Sequence, residues 1–146
     1  MASFLYNPAK QSLLSQSPSI DLDTDTIKVF LIDGASYTPS AAHQFLSDVP
    51  AGARKGNAGG NTRADAPTLG SKTVTNGVFD AADVVFTAIP AGAALEYILI
   101  FKDDGSADAT SALIALIDTA TGLPITPNGA DCTIVWSAGA SKIFAL

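Results

Sequence analysis

Residues 95–105 read Leu-Glu-Tyr-Ile-Leu-Ile-Phe-Lys-Asp-Asp-Gly. Leu95, Tyr97, Leu99 and Phe101 alternate with Glu96, Ile98, Ile100 and Lys102, so successive side chains fall on opposite faces of a strand. The Asp-Asp-Gly that follows supplies turn chemistry. The same phrasing recurs in residues 27–34 (IKVFLIDG) and 112–122 (ALIALIDTATG): an apolar run, then Asp, then Gly. The spacing between the three is too irregular for a solenoid or propeller. Their shared grammar is that of strand ends.

Working outward, more strands follow. Lys72–Thr75 and Val78–Phe79 flank Asn76-Gly77, the pair that suits a type I′ hairpin turn. Val84–Ile89 runs to Pro90, and Asp131–Trp136 sets Cys132, Ile134 and Trp136 against Thr133 and Val135. Ile143–Leu146 adds a short C-terminal strand. Short strands with Gly, Pro and Asp punctuation point to an all-β fold, a β-sandwich or jelly-roll-like domain. Short helices are expected near the N-terminus only. Asn7-Pro8 reads as a cap and first-turn proline for a helix over 9–16. Thr38-Pro39 repeats that grammar for a second helix carrying Ala42, Phe45, Leu46 and Val49, stopped by Pro50. The expected division is an N-terminal arm with a short helix over 1–26 and a sandwich domain over 27–146. Within the latter, 51–71 (AGARKGNAGGNTRADAPTLGS) reads as an extended Gly/Ala-rich loop without a period.

A chain of 146 residues suits one domain and can bury a core without a staple. The single Cys132 excludes an intramolecular disulfide. Hydrophobic residues make up 47% and charged residues 15%, a low charge for a lone soluble chain, which suggests surface meant to be covered by a partner. The net charge of −6 argues against nucleic-acid binding, which needs Lys and Arg to neutralise phosphates. No basic, apolar leader and no run approaching a membrane span is visible, so the chain is expected to be made and assembled in the cytoplasm.

Chemistry has few candidates. There is one His, one Cys and one Glu; the other thirteen acids are Asp, many at strand ends. Asp21, Asp23 and Asp25 open like a calcium loop, but Thr26 and Ile32 stand where that loop needs Gly and Glu. They read as a solvated turn. His43 has no second ligand or base partner and reads as a surface side chain. Cys132 reads as a small buried hydrophobe. Asp103, Asp104 and Asp108 around Gly105 read as a turn. The glycines near Arg54 and Lys55 do not fit a phosphate-loop spacing. No catalytic, metal or cofactor residue is assigned, and no enzymatic activity is expected.

Partner contacts are the remaining class. Arg54, Lys55 and Arg63, with Lys72 just beyond, make half of the eight basic residues, and an arm over 51–71 would present them to an acidic protein surface. Asn7, Leu13 and Leu14 form a second docking element. Ile143 and Phe144 lie on a C-terminal edge open to pairing with another copy.

Three blocks are familiar: DTDTIKVFLIDGASYTPSAAHQFLSDVPAGAR, KTVTNGVFDAADVVFTAI and LIALIDTATGLPITPNGADCTIVWSAGASKIFAL. In order and spacing they resemble a family of small virion structural proteins of tailed bacteriophages, along nearly the whole chain. Within that class the size and β-rich build are most like head decoration (cement) proteins. The resemblance implies a protein on the outer surface of the virion head that binds and stabilises the major capsid protein and copies of itself, as a dimer or trimer. It supplies no catalytic residues. The competing expectation is a structural tail or baseplate component, or a host-surface binding module.

Overall fold

The strands form because β-branched and aromatic residues dominate the apolar runs and Asp, Gly and Pro end them. In the computed structural model, which describes residues 2–146, these runs build an all-β, sandwich-like fold. Ten strands are numbered along the chain: β1 Phe4–Leu5, β2 Ile27–Ile32, β3 Arg54–Lys55, β4 Thr73–Thr75, β5 Val78–Asp80, β6 Val84–Phe86, β7 Tyr97–Lys102, β8 Leu113–Ile117, β9 Cys132–Ile134 and β10 Phe144–Ala145. One helix, α1, spans Asn7–Ser15. The main sheet runs β1-β8-β7-β2-β3, beside a β10-β5-β4 sheet and a β6-β9 ribbon. Every pairing is antiparallel.

The stretch 97–102 pairs along its whole length with β2, from Ile27 opposite Lys102 to Ile32 opposite Tyr97. This register places Phe30 and Phe101 on one face, where their rings stack at 5.5 Å. All of Leu113–Ile117 is buried, as are Ile98–Phe101. These strands are covered on both faces, so the alternation seen in sequence marks two buried faces and not an inside and an outside. The hairpin at Asn76-Gly77 forms as read, with both residues at positive φ (52° and 78°).

Five expectations change. The segment 1–26, expected as an N-terminal arm with a short helix, carries that helix and also joins the sheet and core. Its β1 pairs with β8, and Tyr6, Ala9, Ile20 and Leu22 belong to the core. Asn7 is the first residue of α1 and not its cap, which falls on Tyr6. The second helix does not form. Asp48 accepts hydrogen bonds from the Gln44 and Phe45 amides at 2.8 and 3.0 Å, and Phe45 is extended and bridged to Ala112. Only a 3-10 turn over Leu46–Asp48 remains, because the carboxylate satisfies amides that a helix would need. The C-terminal strand is not wholly open either, since one edge of β10 pairs with β5.

The largest change is 51–71. Its two ends lie along the free edge of β2: β3 pairs with Leu31 and Ile32, while the Pro67 carbonyl accepts from Val29 and the Leu69 amide donates to Ile27. An edge that would otherwise invite association is thus closed by the chain's own loop. Between these ends the backbone folds back on itself, with Gly56 N–H donating to Gly60 (2.6 Å) and Asn57 N–H donating to Asp65 (2.8 Å). Asn57 Oδ1 also accepts from the Thr87 amide, tying the loop to the end of β6.

This tight return has a measurable consequence. A Cβ on Gly56 would collide with the Asp65 carbonyl, whereas Gly52 has nothing within 4 Å of that position. Gly56→Ala should therefore cost roughly 1–3 kcal/mol in urea unfolding. Gly52→Ala should stay within about 0.5 kcal/mol. Equal effects would show that the loop is not folded in this way.

Candidate functional site

Two constellations gather the polar and apolar residues singled out above. The first is a charge network. Arg54 follows the turn Ala51–Ala53, and its backbone pairs in β3 while its side chain turns inward. It is only 3% exposed. Its guanidinium donates to the carbonyls of Leu46 (2.6 Å) and Val49 (2.6 and 3.0 Å) and to Asp108 (2.6 Å). Arg63 binds Asp103, donates from Nε to Asp108 at 3.1 Å and from Nη2 to the Ser106 carbonyl at 2.6 Å. Lys28 on β2 completes the chain, with Nζ 2.9 Å from Asp103 and 2.8 Å from the Arg63 carbonyl.

The network therefore alternates in sign: Lys28, Asp103, Arg63, Asp108, Arg54. Burial opposes ionisation of Asp103, but hydrogen bonds from Lys28, the Gly105 amide and Arg63 outweigh it and hold the carboxyl below its usual range. In the same turn Asp104 is held at about 2, by the Thr110 hydroxyl first and then the Ser106 amide. The three aspartates do form a turn, as read, and two of them also anchor distant basic residues. That second role had no signal in sequence beyond the surplus of Asp over Glu.

Arg54 and Arg63 must accordingly be withdrawn as free docking residues. They hold this chain together: Arg54 is buried, and each side-chain nitrogen of the half-buried Arg63 already bonds an acceptor of the 103–108 turn. Lys55 and Lys72 differ. Lys55 is half-buried, with Nζ 3.4 Å from the Gly52 carbonyl. It lines a cavity of about 330 Å³ with Asp33, Ile89, Pro90 and Leu95. Lys72 is half-buried near Asp23.

The second constellation is an apolar groove of about 400 Å³. Its walls bring together parts far apart in sequence: Leu13 of α1, Ile20 and Leu22, Phe79 of β5, and Phe144 with Leu146. Thus Leu13 and Phe144, chosen separately from sequence, meet in space. Leu14 stands beside Leu13 and is 86% exposed; Val74 and Leu146 at the groove are 45% and 69% exposed. Asp21 and Asp23 form one rim. Their side chains share a hydrogen bond, so Asp23 titrates above and Asp21 below the usual carboxylate range. Asp25 of the same turn pairs with Lys102 at 2.8 Å. Ile143 and Phe144 also line a smaller cavity of about 210 Å³ beside Phe4 and Leu5. Asn7 is exposed, its Oδ1 3.4 Å from Lys10 Nζ.

The remaining candidates are internal fittings. His43 is half-buried, not a free surface side chain. Its Nδ1 lies 2.8 Å from the Tyr37 hydroxyl, which in turn meets Tyr6 at 3.1 Å. Burial pushes the Tyr6 phenol far up, so it serves as a neutral hydrogen-bonding group. Cys132 is half-buried, and burial raises its thiol, which favours the unreactive protonated form. Among the described residues, no three His, Cys, Asp or Glu side chains are grouped to hold a metal ion, and no helix is long and apolar enough to cross a membrane. No protein-family model matches the chain, and no curated protein matches it.

Removing the Arg54 fork takes both of its bonds from the Val49 carbonyl and one each from the Leu46 carbonyl and Asp108, which keep the Val49 amide and Arg63 Nε. Arg54→Met should destabilise by about 3 kcal/mol and lower Tm by roughly 10 °C. An unchanged Tm would show that the fork is not structural. For Asp104, whose pKa falls from about 3.9 unfolded to about 2 folded, stabilisation is complete above the unfolded value. It is lost as pH falls through the folded value. Between pH 4 and 2 wild-type Tm should therefore drop more steeply than that of Asp104→Asn; parallel curves would refute the assignment.

Proposed function

We propose that this is a chemically quiet structural protein of a phage virion, a decoration or cement protein that binds the outside of the head and associates with its own copies. One observation carries the reading. The groove residues Leu13, Val74, Phe144 and Leu146, with neighbouring Leu14, bring apolar side chains from three separate segments to one place on the surface. Such a surface marks a protein contact. The polar side chains around Asp103 and Asp108 are engaged in holding the chain's own loops.

This assignment fits a rigid, many-copy protein. Modest contacts repeated over a symmetric surface give strong attachment through avidity. The loop over 51–71 contributes by closing an edge, and Lys55 and Lys72 are the basic side chains left for an acidic capsid surface. The major capsid protein is the proposed partner, with no nucleic acid or membrane involved and no reaction catalysed.

Quantitative mass spectrometry of separated heads and tails tests the reading. The expected result is a head-fraction copy number comparable to that of the major capsid protein. A low copy number confined to tails would move the protein to a tail or baseplate role. On heads, Lys55→Ala with Lys72→Ala should weaken attachment and flatten its dependence on salt.

A further inference from the structure

The groove is bordered by the helix that best fits it. Leu13 of α1 and Gln16, just after the helix, line the groove, while Leu14 beside them is 86% exposed. Lys10 lies one helical turn before Leu14, on the same outward side. Its amine touches only the Asn7 side chain, at 3.4 Å, and no carboxylate is within ion-pairing distance among the described residues. Across the groove mouth, Asp21 and Asp23 form no ion pair within 4 Å, unlike Asp25, and the one cation acting on them is Lys72, near Asp23. The helix and the groove it borders therefore carry an unsheltered leucine, a cation without a carboxylate partner, an apolar slot and an acidic rim with one more carboxylate than nearby cations.

We propose that the groove seats α1 of a second copy. In this two-fold arrangement Leu14 of each chain enters the other's groove, and Lys10 lies beside the other's Asp21 and Asp23. The inference deepens the self-association in the proposed function and rests on it. A two-fold interface requires one patch to hold both halves of each contact, and this patch does. Pairing donor and acceptor on one face also closes the assembly at two chains and does not propagate it. The apolar contacts supply the attraction and the charges set the orientation. A Lys- or Arg-bearing segment of another protein could meet the same chemistry, but here the matching leucine and lysine stand on the same face.

The test uses the purified full chain in sedimentation equilibrium. Wild type should dimerise. Leu14→Asp should raise the dimer dissociation constant at least tenfold, by about the contribution of a buried leucine. Its circular dichroism should be unchanged, because the side chain is solvent-exposed in the single chain, and its Tm should lose only the dependence on protein concentration that dimerisation confers. Two charge variants sharpen the result. Lys10→Asp alone, and Asp21→Lys with Asp23→Lys alone, should each be mainly monomeric because both of their contacts repel. Mixed together they should form a heterodimer, in which both contacts attract. A monomeric wild type, a dimer indifferent to Leu14→Asp, or a mixture that stays monomeric would each overturn the interface. If the wild type is monomeric and still found on heads, the interface fails while the proposed function stands. A dimer formed as described by a chain absent from virions would mean the reverse.

Discussion

The salt-bridge chain from Lys28 through Asp103, Arg63 and Asp108 to Arg54 is the constraint on which the rest of the molecule depends. It joins β2, the 46–49 segment, the loop over 51–71 and the turn between β7 and β8. None of these connections is local. The loop has little apolar side-chain material with which to pack, so it needs directional bonds to compete with its conformational entropy. Arg54 supplies several at once because a planar guanidinium presents a fixed fork of donors. A buried charge is costly unless every donor is satisfied, and among the described residues no buried side-chain polar atom lacks a partner.

Once the loop is held, its ends can lie along β2 and cover that edge of the main sheet. The opposite edge is taken by β1, with α1 packed behind it against β8. The most exposed apolar side chains, Leu14 and Leu146, then lie at the groove between α1, β5 and β10, with Val85 and Val135 exposed separately at the β6-β9 ribbon. The interior network and the outer groove are thus two ends of one arrangement. Internal polar groups close the sheet where association would be harmful, and leave it apolar where a partner is wanted.

How much of this was legible in sequence follows the range of the interactions. Period-two alternation and Asp-Gly punctuation are local, so strands at 27–32, 97–102, 113–117 and 132–134, and the Asn76-Gly77 hairpin, could be read directly. The helix expected after Thr38-Pro39 failed because the side chain of Asp48 competes for amides, a three-dimensional choice that an apolar period does not encode. The loop over 51–71 looked structureless because its partners are Asp103 and Asp108, some forty residues or more away. Four basic residues in a row of glycines and alanines suggested a free arm. Arg54 is instead buried and Arg63 half-buried in the chain's own contacts, while Leu13 and Phe144, expected in separate docking elements, line one groove, a proximity that no local pattern encodes.

The most direct test of the clamp is residue-resolved amide hydrogen exchange on the intact chain, read at Gly56, Asn57 and Leu69. These amides lie within the loop and donate to Gly60, Asp65 and Ile27. If the charge network orders the loop, they should be protected to a degree approaching that of Leu99 and Ile100 of β7, which lies between β2 and β8, and that protection should fall sharply in Arg63→Ala while the β7 amides keep theirs. Near-complete exchange of the loop amides in the wild type, at rates of an unstructured segment, would contradict the clamp and restore 51–71 as a free arm.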